Sequence, residues 1–102
     1  MMSMKSALVI AQDKMEQGLL TLDQANVYIV QLMGVRIVKK LDKATRTALN
    51  SAVKAGEIGH LKKEGLKPEV YFHNNSKSRA IETRNKIAIE SVNNIKRVFC
   101  SE

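Results

Sequence analysis

DKATRTALNSAVKAGEIGHLKKEGLKPEVYFH, residues 42–73, is the stretch that decides how the chain reads. Asp42 can cap a helix, because its carboxylate accepts from the free backbone N–H groups of a first turn. Ala44 or Thr45, then Ala48, Leu49, Ala52 and Val53, recur at three and four residues and predict a buried helix side that Gly56 ends. The opposite side reads as wholly polar. Ile58 to Leu61 and Val70 to His73 then read as two strands. The residues between them, Lys62 to Pro68, are too many for a two-residue hairpin turn and too charged to be buried. They predict a projecting wing, flexible or semi-ordered.

Upstream, Met4, Ala7, Leu8, Ala11 and Met15 repeat at helical spacing and predict a first helix ending near Gly18. Thr21 and Gln24 have the spacing of a capping box and open a second helix. Leu22, Ala25, Ile29, Leu32 and Met33 line one side of it, and Gly34 is placed to stop it. Val35 to Lys40 reads as a short strand, with Val35 and Ile37 on one face, or as an extended connector. Downstream, Asn74 to Ser76 supply turn and cap chemistry. Ile81, Ala88, Val92, Ile95 and Phe99 then recur along a long amphipathic helix from about Lys77 to Val98. Ile87, Ile89 and Val98 widen its apolar surface beyond one seam. Two uses fit that surface: dimerisation, with Ile81, Ala88, Val92, Ile95 and Phe99 as contacts, or packing across the first two helices.

With 102 residues the chain is expected to form a single domain spanning 1–102, mainly α with a small β-hairpin, in which 76–99 is a C-terminal packing or dimerisation helix. Only four aromatic residues and no Trp are available, so aliphatic side chains and Met must fill the core. The formal charge of +7 is uneven. Residues 1–38 balance, residues 39–67 carry eight cations against three acids, and residues 76–97 carry six against two. A neutral first third and a basic remainder point to a polyanionic partner; added solubility is the plainer explanation. One cysteine, Cys100, gives no intramolecular disulfide and no Cys-based metal cluster, and a reducing cytoplasm is expected. No apolar run approaches a membrane span and no signal core opens the chain, so a soluble, unprocessed protein is expected.

On the third helix Lys43, Thr47, Asn50 and Lys54 are spaced four, three and four, which aligns them on one exposed face with Arg46 and Ser51 beside them. Asn can pair with adenine, Arg with guanine, and Thr can meet base edges or the thymine methyl, while Lys fixes phosphates. Lys62, Lys63 and Lys67 on the wing could follow the sugar-phosphate backbone or enter a minor groove. A solvated helix face and lysines that guard a sheet edge explain the same residues without a ligand.

Thr21 to His73 resembles the winged helix-turn-helix superfamily. The likeness lies in Gln24, Ala25 and Tyr28 on the first helix of the motif and in a turn at Gly34 and Val35. It continues through Arg46, Ala48, Leu49 and Val53 on the second helix, with Gly56, Ile58 and Leu61 leading into a hairpin. The resemblance implies a winged fold with a long C-terminal helix, double-stranded DNA binding, often transcriptional control, and usually a dimer. The chain departs from the family in the six residues Val35 to Lys40 between Gly34 and Leu41, where the family's turn is commonly tighter; the family's strand usually precedes the helix pair. Small size, basic charge and the long last helix also resemble regulators encoded by phages or mobile elements.

Catalysis has no candidate centre. His60 and His73 share the hairpin, but a metal site needs further ligands, and Glu57, Glu64 and Glu69 read as surface charges. There is no phosphate-cradling Gly motif and no nucleophile with a base partner, Cys100 included, so no enzyme activity, cofactor or metal is expected. Besides DNA binding, the sequence fits a small basic protein whose cationic face engages an acidic protein partner, its last helix seated in a groove. RNA ranks behind both, because Tyr71 and Phe72 are the only stacking platforms on the hairpin.

Overall fold

The computed structural model describes residues 2–100, with side chains through Lys96. Helix α1 (Met4–Glu16) is followed by α2 (Leu22–Met33), β1 (Val35–Ile37), α3 (Lys43–Lys54), β2 (Ile58–Leu61), β3 (Val70–His73) and the long α4 (Lys77–Cys100). The fold is α+β, mainly helical, with one small antiparallel sheet ordered β1-β3-β2.

Local chemistry sets the helix starts. Asp42 accepts from the Thr45 backbone N–H at 2.7 Å and opens α3. Thr21 and Gln24 form the reciprocal capping box on α2, and Gly34 ends that helix at φ +78°, a conformation that favours glycine. The connector after Gly34 is a true strand. Val35 and Ile37 pair with Phe72 and Val70, and the His73 N–H donates to Gly34 O at 2.8 Å. A strand therefore separates α2 from α3, and the tight turn of a helix-turn-helix is not formed between them.

Alternation along the strands gives the sheet two different faces. Tyr71, Ile58 and their neighbours face α2 and α3, closing a core with Val30, Leu49 and Ala52. Val70 and Phe72 face the other way, against Ala80 of α4, with Val35, Ile37 and Leu61 packed around them. Gly59 lies opposite Phe72 on that second face, and a Cβ at Gly59 would run into the Phe72 ring. A third cluster, Ala7, Ala11, Ala25 and Ile29, joins α1 to α2 through small residues that let the helices approach closely.

Several expected core positions point outward. Leu8 and Leu22, placed by periodicity on the inner stripes of α1 and α2, are 47% and 61% exposed. Neither is among the residues that form or pack against the cluster of Ala7, Ala11, Ala25 and Ile29. On α3, Ala44 and Ala55 are exposed, and the outer side is less uniformly polar than its sequence suggests. On α4 the inward line is Ala80 and Arg84, one position behind the Ile81 stripe, because Ala80 is what fits beneath Phe72. Within the wing Glu64 and Lys67 exchange two backbone hydrogen bonds, 3.1 and 2.9 Å, across a tight turn containing Gly65.

Candidate nucleic-acid interface

Helix α3 lies along the Tyr71 face of the sheet and turns its other side outward. Lys43, Thr47, Asn50, Ser51 and Lys54 are all exposed, and the helix carries no acidic residue. Its flanks differ. Towards α2, Ala44, Thr47 and Ser51 line a shallow groove whose rim includes Asp23 and Glu57. Towards the wing, α3 is bound to the hairpin by a chain of polar contacts.

That chain centres on Glu69, at the wing's return into β3. Arg46 Nη1 and Nη2 donate to the two Glu69 carboxylate oxygens at 3.1 and 3.0 Å, a bidentate pair. His60 Nε2 lies 2.7 Å from Glu69 Oε2, and its ring stacks on Tyr71 with centroids 4.4 Å apart and planes 12° from parallel. The Tyr71 hydroxyl donates to Asn50 Oδ1 at 2.7 Å, returning the chain to α3. Hydrogen bonds from Arg46 hold the Glu69 carboxyl below the ordinary glutamate range against the opposing effect of burial, and His60 helps. Burial, with the Glu69 charge second, pushes the Tyr71 phenol up. Arg36, opposite Tyr71 on β1, has its guanidinium pKa lowered by burial, with Asp42 and Tyr71 opposing; its Nη1 is buried without a hydrogen-bond partner.

The wing is held from its other side by Arg84, which is 6% exposed. Its Nη2 donates to Lys62 O and its Nε to Pro68 O at 2.9 Å, so one side chain of α4 grips both limbs of the loop. Lys62 and Lys63 remain exposed, and Lys67 is half-buried at the turn.

The expected site residues thus fall into groups. Lys43, Thr47, Asn50 and Lys54 share the outer side of α3, and Lys62 and Lys63 stand on a wing fixed to that helix. Thr47 spends its hydroxyl proton on Lys43 O at 2.8 Å, leaving its methyl group and lone pairs outward. Arg46 gives one hydrogen from each terminal nitrogen to Glu69, and its side chain is 41% exposed. Glu69 itself is no simple surface charge: its side chain is 18% exposed and is the anchor of the network. Tyr71 and Phe72 are 0% and 6% exposed and offer no stacking surface. On α4, Ile81, Val92 and Ile95 are exposed and Ala88 half-buried, whereas Phe99 and Cys100 lie outside the residues whose side chains are described. No helix among the described residues is long and apolar enough to cross a membrane.

Glu69, His60, Tyr71 and Arg84 are the residues that sequence reasoning missed. Strand alternation was a usable signal for one of them: it puts Glu69 on the same face as Tyr71, towards α3 rather than solvent. Comparison of the chain with protein-family models, curated proteins and solved structures finds no significant match.

Proposed function

We propose that the protein binds double-stranded DNA, with the outer side of α3 in the major groove and the Lys62–Lys63 segment of the wing on the adjoining backbone. The observation that carries this reading is the Arg46–Glu69 pair, which ties an acid-free, cationic helix face to a lysine-bearing loop as one rigid unit. Phosphate contacts from Lys43, Lys54, Lys62, Lys63 and Lys67 would supply affinity, and Asn50 and Thr47 would meet base edges. Arg46 keeps a part as the brace between helix and wing. Asp23 and Glu57 on the α2 side would repel phosphate, so the duplex approaches from the wing side and α2 takes no share of the docking.

The exposed stripe of Ile81, Val92 and Ile95, with Ala88 between them, supports self-association through α4. A two-fold dimer would read half-sites about one helical turn, ~10 bp, apart. Such a protein suits transcriptional control of the kind phage-type regulators exert. The same apolar stripe would equally serve a small basic protein that modulates a protein partner.

Titration of the purified chain against random duplexes at two salt concentrations, with its mass measured in solution, tests the reading. Lys62→Ala and Lys63→Ala should weaken binding to every duplex and each reduce the logarithmic salt slope by about 1. Asn50→Ala should cost about 1–3 kcal/mol of discrimination between sites. A chain that shifts no duplex at low salt, while holding a defined protein partner, would replace DNA binding with the protein-partner reading.

A further inference from the structure

The polar chain across α3 has a direction, and that direction fixes what Asn50 can offer. Arg46 can only donate. Two of its nitrogens serve Glu69. An amide oxygen can only accept, so the Tyr71 hydroxyl gives its proton to Asn50 Oδ1 at 2.7 Å. Tyr71 is fully buried and its ring stacks on His60, which fixes the position of the hydroxyl oxygen beside Asn50. The Asn50 amide is therefore locked with its oxygen turned to the protein and its Nδ2 group turned outward, on an exposed residue of an exposed helix face.

We propose that Asn50 is the specificity-determining residue of the α3 surface and that, through Tyr71, it selects guanine rather than adenine. The inference rests on the DNA-binding reading above. A free Asn pairs with adenine by accepting from N6 and donating to N7, and so needs both ends of its amide. Here the oxygen is turned inward to Tyr71, away from the groove, and what faces the groove is an NH2 group with two hydrogens. Guanine presents two acceptors, O6 and N7, to such a group. Adenine presents one acceptor and a donor that would meet the amide hydrogens head-on. Tyr71 acts as a positioning residue: it touches no base and sets the polarity of the residue that does.

Selection of bound sequences from a random duplex library, using the full-length chain, tests this. The contacted position is the one whose preference disappears with Asn50→Ala. At that position the wild type should favour guanine over adenine by about tenfold or more. Tyr71→Phe keeps the ring and its stacking but releases the Asn50 oxygen, and should bring the two purines to within about threefold. Asn50→Asp, a change on an exposed residue, should abolish the guanine preference by replacing donors with acceptors. Nuclear magnetic resonance reads the polarity without DNA: the Asn50 NH2 protons should exchange freely with water, and the Tyr71 hydroxyl proton should be retained. Protected Asn50 amide protons, an adenine preference in the wild type, or an unchanged purine ratio in Tyr71→Phe would each overturn the inference while leaving DNA binding intact. Failure of the wild type to bind any duplex would overturn the DNA-binding reading and this inference with it.

Discussion

The two faces of the β1-β3-β2 sheet solve the same problem by opposite means. Both must hold the wing in place. The α4 face does so with a dry cluster of Val70, Phe72 and Ala80 and one buried arginine, Arg84, that donates only to main-chain carbonyls. The α3 face uses titratable side chains, Glu69, His60, Arg46 and Tyr71, in a chain that ends on an exposed residue of α3. Main-chain carbonyls carry no charge to titrate, so the α4 grip should respond only to loss of packing or of Arg84. The α3 grip should respond to acid through the Glu69 carboxyl and to any anion that competes for Arg46. One face is the mount and the other is the responsive surface.

The largest effect should come from the dry face. Phe72→Ala removes a ring that is 6% exposed and empties the space between β3 and α4, at a cost of about 3–5 kcal/mol by urea denaturation. That cost should be the same at pH 7 and pH 5, because no titratable group takes part. A strong pH dependence of the loss would break the contrast between the faces. Gly59 sharpens it: Gly59→Ala puts a methyl group where the Phe72 ring lies and should cost about 1–3 kcal/mol by overpacking.

Arg84→Met comes next. It keeps the apolar stem but leaves Lys62 O and Pro68 O without their donor, at an expected cost of about 2–3 kcal/mol. Amide exchange of Lys67, which donates to Glu64 O inside the wing, should accelerate in the variant more than amides of α1. Equal acceleration in both places would mean that Arg84 supports the fold at large rather than the wing.

How much of this was legible in the sequence follows from the distance between partners along the chain. Asp42 with Thr45 and Thr21 with Gln24 are three residues apart, so α2 and α3 could be started correctly from spacing alone. The hairpin strands were legible too, because β-branched and aromatic residues alternate between turn signals. Arg46 and Glu69 are 23 residues apart, and Arg84 and Lys62 are 22 apart. Nothing local marks such pairs, so neither the Arg46 brace nor the Arg84 grip could be read from spacing. The outward turn of Leu8 and Leu22 was hidden for a related reason: periodicity gives the direction of a stripe, but its width depends on which neighbour arrives.

The smallest expected effect is the most discriminating. The Glu69 carboxyl has a depressed pKa in the folded chain, chiefly through Arg46, so its ionised form favours the native state. That contribution is present above the unfolded glutamate value of about 4.3 and is lost as the pH falls through the lower folded value. Glu69→Gln keeps the shape and removes the charge. At pH 7 it should lower stability by about 1 kcal/mol or less, since Arg46 is partly open to solvent. As the pH falls below about 4.3 and through the lower folded value, the gap between variant and wild type should close. Asp42, whose carboxyl is also held low by its bonds to Thr45, is common to both proteins and cancels in the difference. A gap that stays constant throughout the acid titration would show that Glu69 holds the wing by shape rather than by charge, and the α3 face would then be a second mount instead of a responsive surface.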